Sequence, residues 1–165
     1  MPGLMVNVIL QDIKKVESDA LVVGFFEDVR PLKGLAGQLD WLLCGALSSL
    51  VIENRLRGSL GEVALLTARG KVPAPKIFMV GLGPKAGFSL STLRSVARTT
   101  AAGVAGAGVT RAAFEYLPPH DGSLDDGFSA LREGLSEGAG DRSLAVSVLA
   151  PDNAAYEQLS RLAKT

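Results

Sequence analysis

Residues 76–81 read KIFMVG, and residues 77–80 at the centre of this stretch are all apolar. Residues 20–23, ALVV, form a second run of the same kind. A strand with one solvent-facing side alternates apolar and polar residues, whereas a strand that is covered on both faces is apolar throughout. The two runs therefore predict central strands of a sheet with helices packed on both faces.

Stretches rich in Val, Ile, Leu and Phe are the candidate strands. They span Leu4–Gln11, Asp19–Phe26, Gly61–Ala68, Lys76–Gly81, Arg111–Leu117 and Ser143–Ala150. Apolar residues at helical spacing predict the helices. These span Leu35–Glu53, Leu90–Val104, Leu124–Glu137 and Asn153–Leu162. Because strands and helices alternate along the chain, we expect a three-layer α/β protein with a sheet between helices.

The connection between the third and fourth candidate strands is short. Only residues 69–75 lie between them, which is too few for a crossover helix and predicts an antiparallel pair. The sheet is therefore expected to be mixed but mostly parallel. No repeat or linker divides the chain, so residues 1–165 are expected to form a single domain.

Charge and hydropathy exclude some functions. The chain has 17 basic and 17 acidic side chains and no run of five or more Lys or Arg, so no binding to nucleic acid is expected. No segment approaches the roughly 18 continuous apolar residues of a membrane span, and the N-terminus does not read as a secretory signal. We expect a cytoplasmic protein without a membrane partner.

Residues suited to catalysis are few. His120 is the sole histidine and Cys44 the sole cysteine, so three-histidine and H-E-x-x-H zinc sites and cysteine-rich metal cages are excluded. No G-x-S-x-G or P-loop string occurs. His120 and Asp121 could serve as a general acid or could simply lie in a solvated loop. Cys44 lies in an apolar stretch and is expected to be a buried, inert thiol. We expect no catalytic residue, no metal site and no cofactor.

Two glycine-bearing loops are candidate binding elements. Residues 33–37, KGLAG, lead into a helix, and residues 81–83, GLG, leave a strand. Backbone N–H groups exposed at such junctions can hold phosphate or carboxylate oxygens. Ordinary turn chemistry explains the glycines equally well, so both interpretations stay open for Gly34, Gly37, Gly81 and Gly83.

Several segments together resemble the N-terminal domain of the leucyl aminopeptidase (cytosol aminopeptidase) family. They are residues 19–28 (DALVVGFFED), 37–40 (GQLD), 45–47 (GAL), 58–66 (GSLGEVALL), 72–74 (VPA) and 77–83 (IFMVGLG). The more specific signal is a G-x-x-G-E strand followed by a V-G-L-G strand and by a helix that begins with Ser, Leu and Arg. The similarity spans nearly the whole chain.

The resemblance implies a macro-domain-like fold and a non-catalytic accessory role. In this family a larger C-terminal domain carries two metal ions, their acidic ligands and a catalytic lysine, and its N-T-D-A-E-G-R string does not occur here. The family's N-terminal domain helps to hold a hexamer together. The expected partners are therefore a second copy of the chain or an aminopeptidase catalytic domain.

A fainter resemblance to macro domains implies an alternative function, which is the binding of a nucleotide such as ADP-ribose or of another small anion. Asp19 lies where macro domains keep an adenine-binding aspartate, and Gly34–Gly37 lie where they keep a phosphate-binding loop. Residues 23–26 read VGFF in place of Asn-Ala-Ala-Asn, and residues 117–122 read LPPHDG in place of a glycine-rich loop. Prolines lack the N–H donors that such a loop needs. The candidate ligand-binding residues are Asp19, Gly34, Gly37, Gly81 and Gly83.

Overall fold

The computed structural model describes residues 3–164, which form six strands and five α-helices. The strands are β1 (Leu4–Leu10), β2 (Ala20–Phe25), β3 (Val63–Thr67), β4 (Lys76–Gly81), β5 (Arg111–Glu115) and β6 (Leu144–Ala150). The helices are α1 (Gly34–Leu42), α2 (Ala46–Ile52), α3 (Leu90–Gly106), α4 (Leu124–Ala139) and α5 (Asn153–Ala163). Every predicted strand is confirmed, and its ends lie within about two residues of the expected ones.

The strands form one sheet in the order β1-β6-β5-β2-β4-β3. Within the described residues, β3 pairs with β4 in the antiparallel direction, and all other neighbours are parallel. The prediction of a mixed, mostly parallel sheet with a hairpin-like pair is confirmed. The carboxyl ends of β1, β6, β5, β2 and β4 therefore meet at one edge of the sheet, which we call the carboxyl edge. The opposite edge is called the amino edge.

Helices cover both faces of the sheet. One hydrophobic cluster joins α3, α4 and α5 to side chains such as Phe78 and Phe114, and the other joins α1 and α2 to Leu21 and Ile77. Residues 77–81 of β4 are all buried, as are residues 20–23 of β2. The two continuous apolar runs are central strands, as predicted, because side chains on both faces of each strand enter a core.

The single helix expected over Leu35–Glu53 is wrong. The segment forms two helices, α1 and α2, with axes bent by 109° at the break between them. Cys44 and Gly45 at this break have φ angles of 57° and 83°, which end a right-handed helix. The expectation that Cys44 is buried is also wrong, because the break places its side chain in solvent.

Between residues 3 and 164, no single helix has both the length and the apolar composition needed to cross a membrane. Together, α1 and α2 have the length and composition of a membrane span, but they form the bent pair described above.

Candidate functional site

The candidate site lies at the carboxyl edge, where the loops after β1, β2, β4 and β5 come together around the start of α1. In open α/β sheets, ligands bind in the crevice beyond the carboxyl ends of parallel strands. Two cavities flank the first turns of α1 at this edge. We name them after the most informative side chain in each, the Glu115 cavity and the Trp41 cavity.

The Glu115 cavity has a volume of about 170 Å³ and lies beyond the ends of β2 and β5. Apolar side chains, among them Phe25, Leu32 and Leu117, form much of its wall. Its charged lining residues are Glu115, Lys33 and Lys85. Both lysines are exposed, whereas Glu115, the last residue of β5, is half-buried.

Glu115 connects β5 to β2 and α1 through hydrogen bonds. Its Oε1 accepts a hydrogen bond from the backbone N–H of Gly24 at 3.2 Å. The backbone N–H of Leu35, in the first turn of α1, also donates to the Glu115 carboxyl group. Burial raises the pKa of Glu115 to about 7, and the two backbone hydrogen bonds oppose this rise.

The sequence at the start of α1 explains why a carboxyl group is needed there. The residue before the helix is Lys33, whose side chain makes no capping hydrogen bond, and the first turn contains no acidic residue. The first N–H groups of a helix have no partner within the helix, and they favour a negative charge. Glu115 supplies both an acceptor and a charge from a strand 80 positions further along the chain.

The Trp41 cavity lies on the other side of α1 and has a volume of about 490 Å³. Its wall includes Asp12 and Ile13 from the loop after β1 and Gly37 and Trp41 from α1. Asp12 already accepts a hydrogen bond from the backbone N–H of Lys14 and pairs with Lys15 at 3.8 Å. Trp41 is 84% exposed, so its indole ring borders the cavity without being packed in the core.

The structure brings together Gly34 and Gly37 and places Asp19 elsewhere. Gly34 lines the Glu115 cavity and Gly37 lines the Trp41 cavity, so these two candidate residues lie at the carboxyl edge. Asp19 precedes β2 and therefore lies at the amino edge, where it pairs with Arg111 at 3.2 Å. The residue that brings a carboxylate to the carboxyl edge after β1 is Asp12. Ligand binding by the five candidate residues remains a prediction.

Gly81 and Gly83 pack against the G-x-x-G-E segment, residues 58–62. The N–H of Gly81 donates to the carbonyl of Glu62, and the N–H of Gly83 donates to the carbonyl of Gly58, each at 2.8 Å. The carboxylate of Glu62 accepts hydrogen bonds from the N–H groups of Arg57 and Gly58. The segments that carry the family resemblance thus form a close backbone junction. The junction occupies the N–H groups of Gly81 and Gly83, which were two of the candidate anion donors.

His120 and Asp121 lie in different environments. His120 is exposed in its loop. The Oδ1 of Asp121 accepts a hydrogen bond from the backbone N–H of Leu90 at 2.7 Å, at the start of α3. Asp121 therefore caps a helix together with Ser89, whose hydroxyl accepts from the N–H of Thr92. Within residues 3–164, no group of three or more His, Cys, Asp or Glu side chains is arranged to hold a metal ion.

Sequence reasoning missed Glu115. The sequence contains two signals that point to it. Strand β5 is apolar over residues 112–114 and then ends in a carboxylate, and α1 begins after Lys33-Gly34 without a capping side chain. A helix start without its own acceptor needs one from elsewhere in the fold. Only the strand order identifies which acidic residue supplies it.

The sequence matches a family model described as the cytosol aminopeptidase family, N-terminal domain, over residues 22–139. The probable cytosol aminopeptidase of Geobacter sulfurreducens is 38% identical over 111 residues, which cover 67% of this chain and 22% of that protein. The probable cytosol aminopeptidase of a Cyanothece species is 41% identical over 83 residues, which cover 50% of this chain and 17% of that protein. The chain thus spans about a fifth of the length of these relatives.

Solved structures share the fold. A mutant of tomato leucine aminopeptidase superposes with a TM-score of 0.73 at 21% identity, covering 99% of this chain and 36% of that chain. A mutant macrodomain of Oceanobacillus iheyensis superposes with a TM-score of 0.71 at 16% identity, covering 93% of this chain and 89% of that chain. A Trypanosoma brucei macrodomain in complex with ADP superposes with a TM-score of 0.72 at 13% identity, covering 96% of this chain and 68% of that chain. The predicted macro-domain-like fold is confirmed.

Proposed function

Because the chain belongs to the cytosol aminopeptidase family, as its N-terminal domain, we propose that it is a non-catalytic accessory domain. In this role it associates with an aminopeptidase catalytic domain or with further copies of itself in an oligomer. The proposal includes a cytoplasmic location and no peptidase activity of the chain by itself. It is supported by the extent of the family match, which is confined to the N-terminal part of much longer relatives.

The surface of α1 and α2 carries the proposal. Trp41 on α1 is 84% exposed and Ile52 on α2 is 83% exposed. Each leaves a large apolar side chain in water, whereas tryptophan is enriched at the buried centres of protein interfaces. Covering these side chains with a partner would recover hydrophobic free energy that the chain alone does not gain. We therefore assign the contact surface to α1 and α2.

Trp41→Ala is expected to weaken association by about tenfold or more, because an interface tryptophan commonly contributes about 2 kcal/mol. Trp41 is the single tryptophan of the chain. Its fluorescence should therefore shift to the blue when a partner covers it. The measurement is light scattering after size-exclusion chromatography, with fluorescence titration against an aminopeptidase catalytic domain. Tyr156→Ala, at a 38% exposed position on α5, is the matched control. A strictly monomeric protein with no fluorescence change would refute the proposal.

The second candidate function is nucleotide binding, which the Trp41 cavity favours. Its volume of about 490 Å³ lies in the range of small-molecule sites. An exposed indole ring and the Asp12 carboxylate border it. The fold is also that of a macrodomain solved in complex with ADP. Nucleotide binding ranks second because Gly81, Gly83 and Leu35, in the first turn of α1, already donate their N–H groups to the protein itself.

Under this second function, ADP-ribose is expected to raise the melting temperature in a concentration-dependent way, since a ligand stabilises the state that binds it. AMP should give a smaller rise and inorganic phosphate none. Asp12→Asn should reduce the rise, and Asp141→Asn, at an exposed position outside both cavities, is the control. A melting temperature that is unchanged at saturating ADP-ribose would remove nucleotide binding from consideration.

A further inference from the structure

The Glu115 cavity has an unusual distribution of charge. Glu115 is its least exposed charged residue, and the two lysines that line it, Lys33 and Lys85, are exposed. Among the ion pairs formed by residues 3–164, none includes Glu115, Lys33 or Lys85. The cavity therefore combines an inner carboxylate with two outer ammonium groups, and none of the three has an ionic partner.

The backbone hydrogen bonds leave the inner carboxylate incompletely satisfied. An ionised carboxyl group can accept about four hydrogen bonds, and Glu115 receives one each from the N–H groups of Gly24 and Leu35. Neither donor carries a formal charge. Withdrawing a carboxylate from water without a cation beside it costs free energy, and burial accordingly raises the pKa of the half-buried Glu115. A ligand that brings a positively charged donor into the cavity would satisfy the remaining acceptor positions.

The lysines and the apolar wall narrow the class of ligand. A simple amine would pair with Glu115, but Lys33 and Lys85 would repel it. A simple anion would attract the lysines but meet the Glu115 carboxylate. The wall between these charges is apolar, because Phe25, Leu32 and Leu117 line it. The cavity volume of about 170 Å³ is large enough for one amino acid.

From this arrangement we propose that the Glu115 cavity binds a free apolar α-amino acid of about the size of leucine. The ligand ammonium group faces Glu115, its carboxylate faces Lys33 and Lys85, and its side chain lies against the apolar wall. Trp41 and Ile52, which carry the α1–α2 contact surface proposed above, do not line this cavity. Binding at one can therefore fail without affecting the other.

Three matched probes test the proposal at pH 8, where Glu115 is ionised. L-leucine carries both charges, 4-methylpentanoate lacks the ammonium group, and 3-methylbutylamine lacks the carboxylate. Titration calorimetry is expected to show leucine binding at least about tenfold more tightly than either analogue. In two-dimensional NMR spectra of the full chain, leucine should shift the amide signals of Gly24 and Leu35. Tighter binding of 4-methylpentanoate, equal binding of the amine, or no binding of leucine would each overturn the proposal.

Two variants locate the site. Glu115→Gln keeps an acceptor oxygen but removes the charge, and it is expected to weaken leucine binding by about tenfold or more. Lys85→Met changes an exposed side chain, so the variant is expected to keep the fold. It should weaken leucine binding, while the weak binding of 3-methylbutylamine stays unchanged or becomes stronger. Glu157→Gln, at an exposed position on α5, is the control for loss of a carboxylate. Unchanged leucine binding in both test variants would place the ligand elsewhere and refute the assignment.

Discussion

Glu115→Gln is expected to raise the free energy of unfolding at pH 8 while leaving it almost unchanged near pH 4.5. Burial raises the pKa of Glu115 from 4.5 to about 7, so the folded protein holds this proton more tightly than the unfolded chain does. Between these two pH values the folded state binds more protons, and the free energy of unfolding falls as the pH rises. Glutamine resembles the neutral acid and does not titrate, so the variant lacks this fall.

The expected gain at pH 8 is about 2 kcal/mol. The full pKa shift corresponds to at most about 3 kcal/mol, and partial exposure of the side chain reduces this value. In a chain of this length, the gain would raise the melting temperature by about 5 °C. Chemical denaturation of both proteins from pH 4.5 to pH 8 measures the difference, with Glu157→Gln as the control. A constant difference across this range would show that Glu115 does not titrate with a raised pKa.

Gly81→Ala is expected to destabilise the protein by about 3 kcal/mol or more. A Cβ atom at this position would lie 1.9 Å from the backbone oxygen of Ser59 and 2.8 Å from the carbonyl carbon of Gly58. Both are backbone atoms, so the clash cannot be relieved by rotating a side chain. The junction between the end of β4 and the G-x-x-G-E segment would have to open, with loss of its hydrogen bonds.

Gly87→Ala is the matched control for this substitution. A Cβ atom at Gly87 would meet nothing within 4 Å, so its stability is expected to stay close to that of the wild type. Urea denaturation of the three proteins gives the comparison. Wild-type stability of Gly81→Ala would mean that close packing does not explain this glycine, and the case for Gly81 as a ligand-binding residue would become stronger.

The central strands were predictable because a strand that is buried on both faces is apolar at every position. Residues 20–23 and 77–80 have no polar positions, and short runs of this kind that are flanked by glycine or charge favour strands that are covered on both faces. The antiparallel pair of β3 and β4 was predictable for a different reason. A seven-residue connection, residues 69–75, cannot hold a crossover helix.

The break between α1 and α2 was not predictable from periodicity, because apolar residues continue through it. Cys44 adopts a left-handed conformation that non-glycine residues seldom take. Its exposure follows from this turn, so the apolar neighbours that suggested a buried thiol were misleading. Asp19 is a different case. It precedes β2 in the sequence, so its position at the amino edge follows from chain order alone, whereas its ion pair with Arg111 depends on the pairing of β2 with β5.

The sequence by itself determined the α/β class, the strands, the mixed sheet and the family resemblance, because each of these depends on residues that are close together in the chain. Only the tertiary structure decided the composition of the candidate site. Strand order places Glu115 beneath the start of α1 and beside Gly24, residues that are 80 and 91 positions away in sequence. Contacts at such separations depend on how strands are ordered and how helices pack, and no local pattern of residues encodes either.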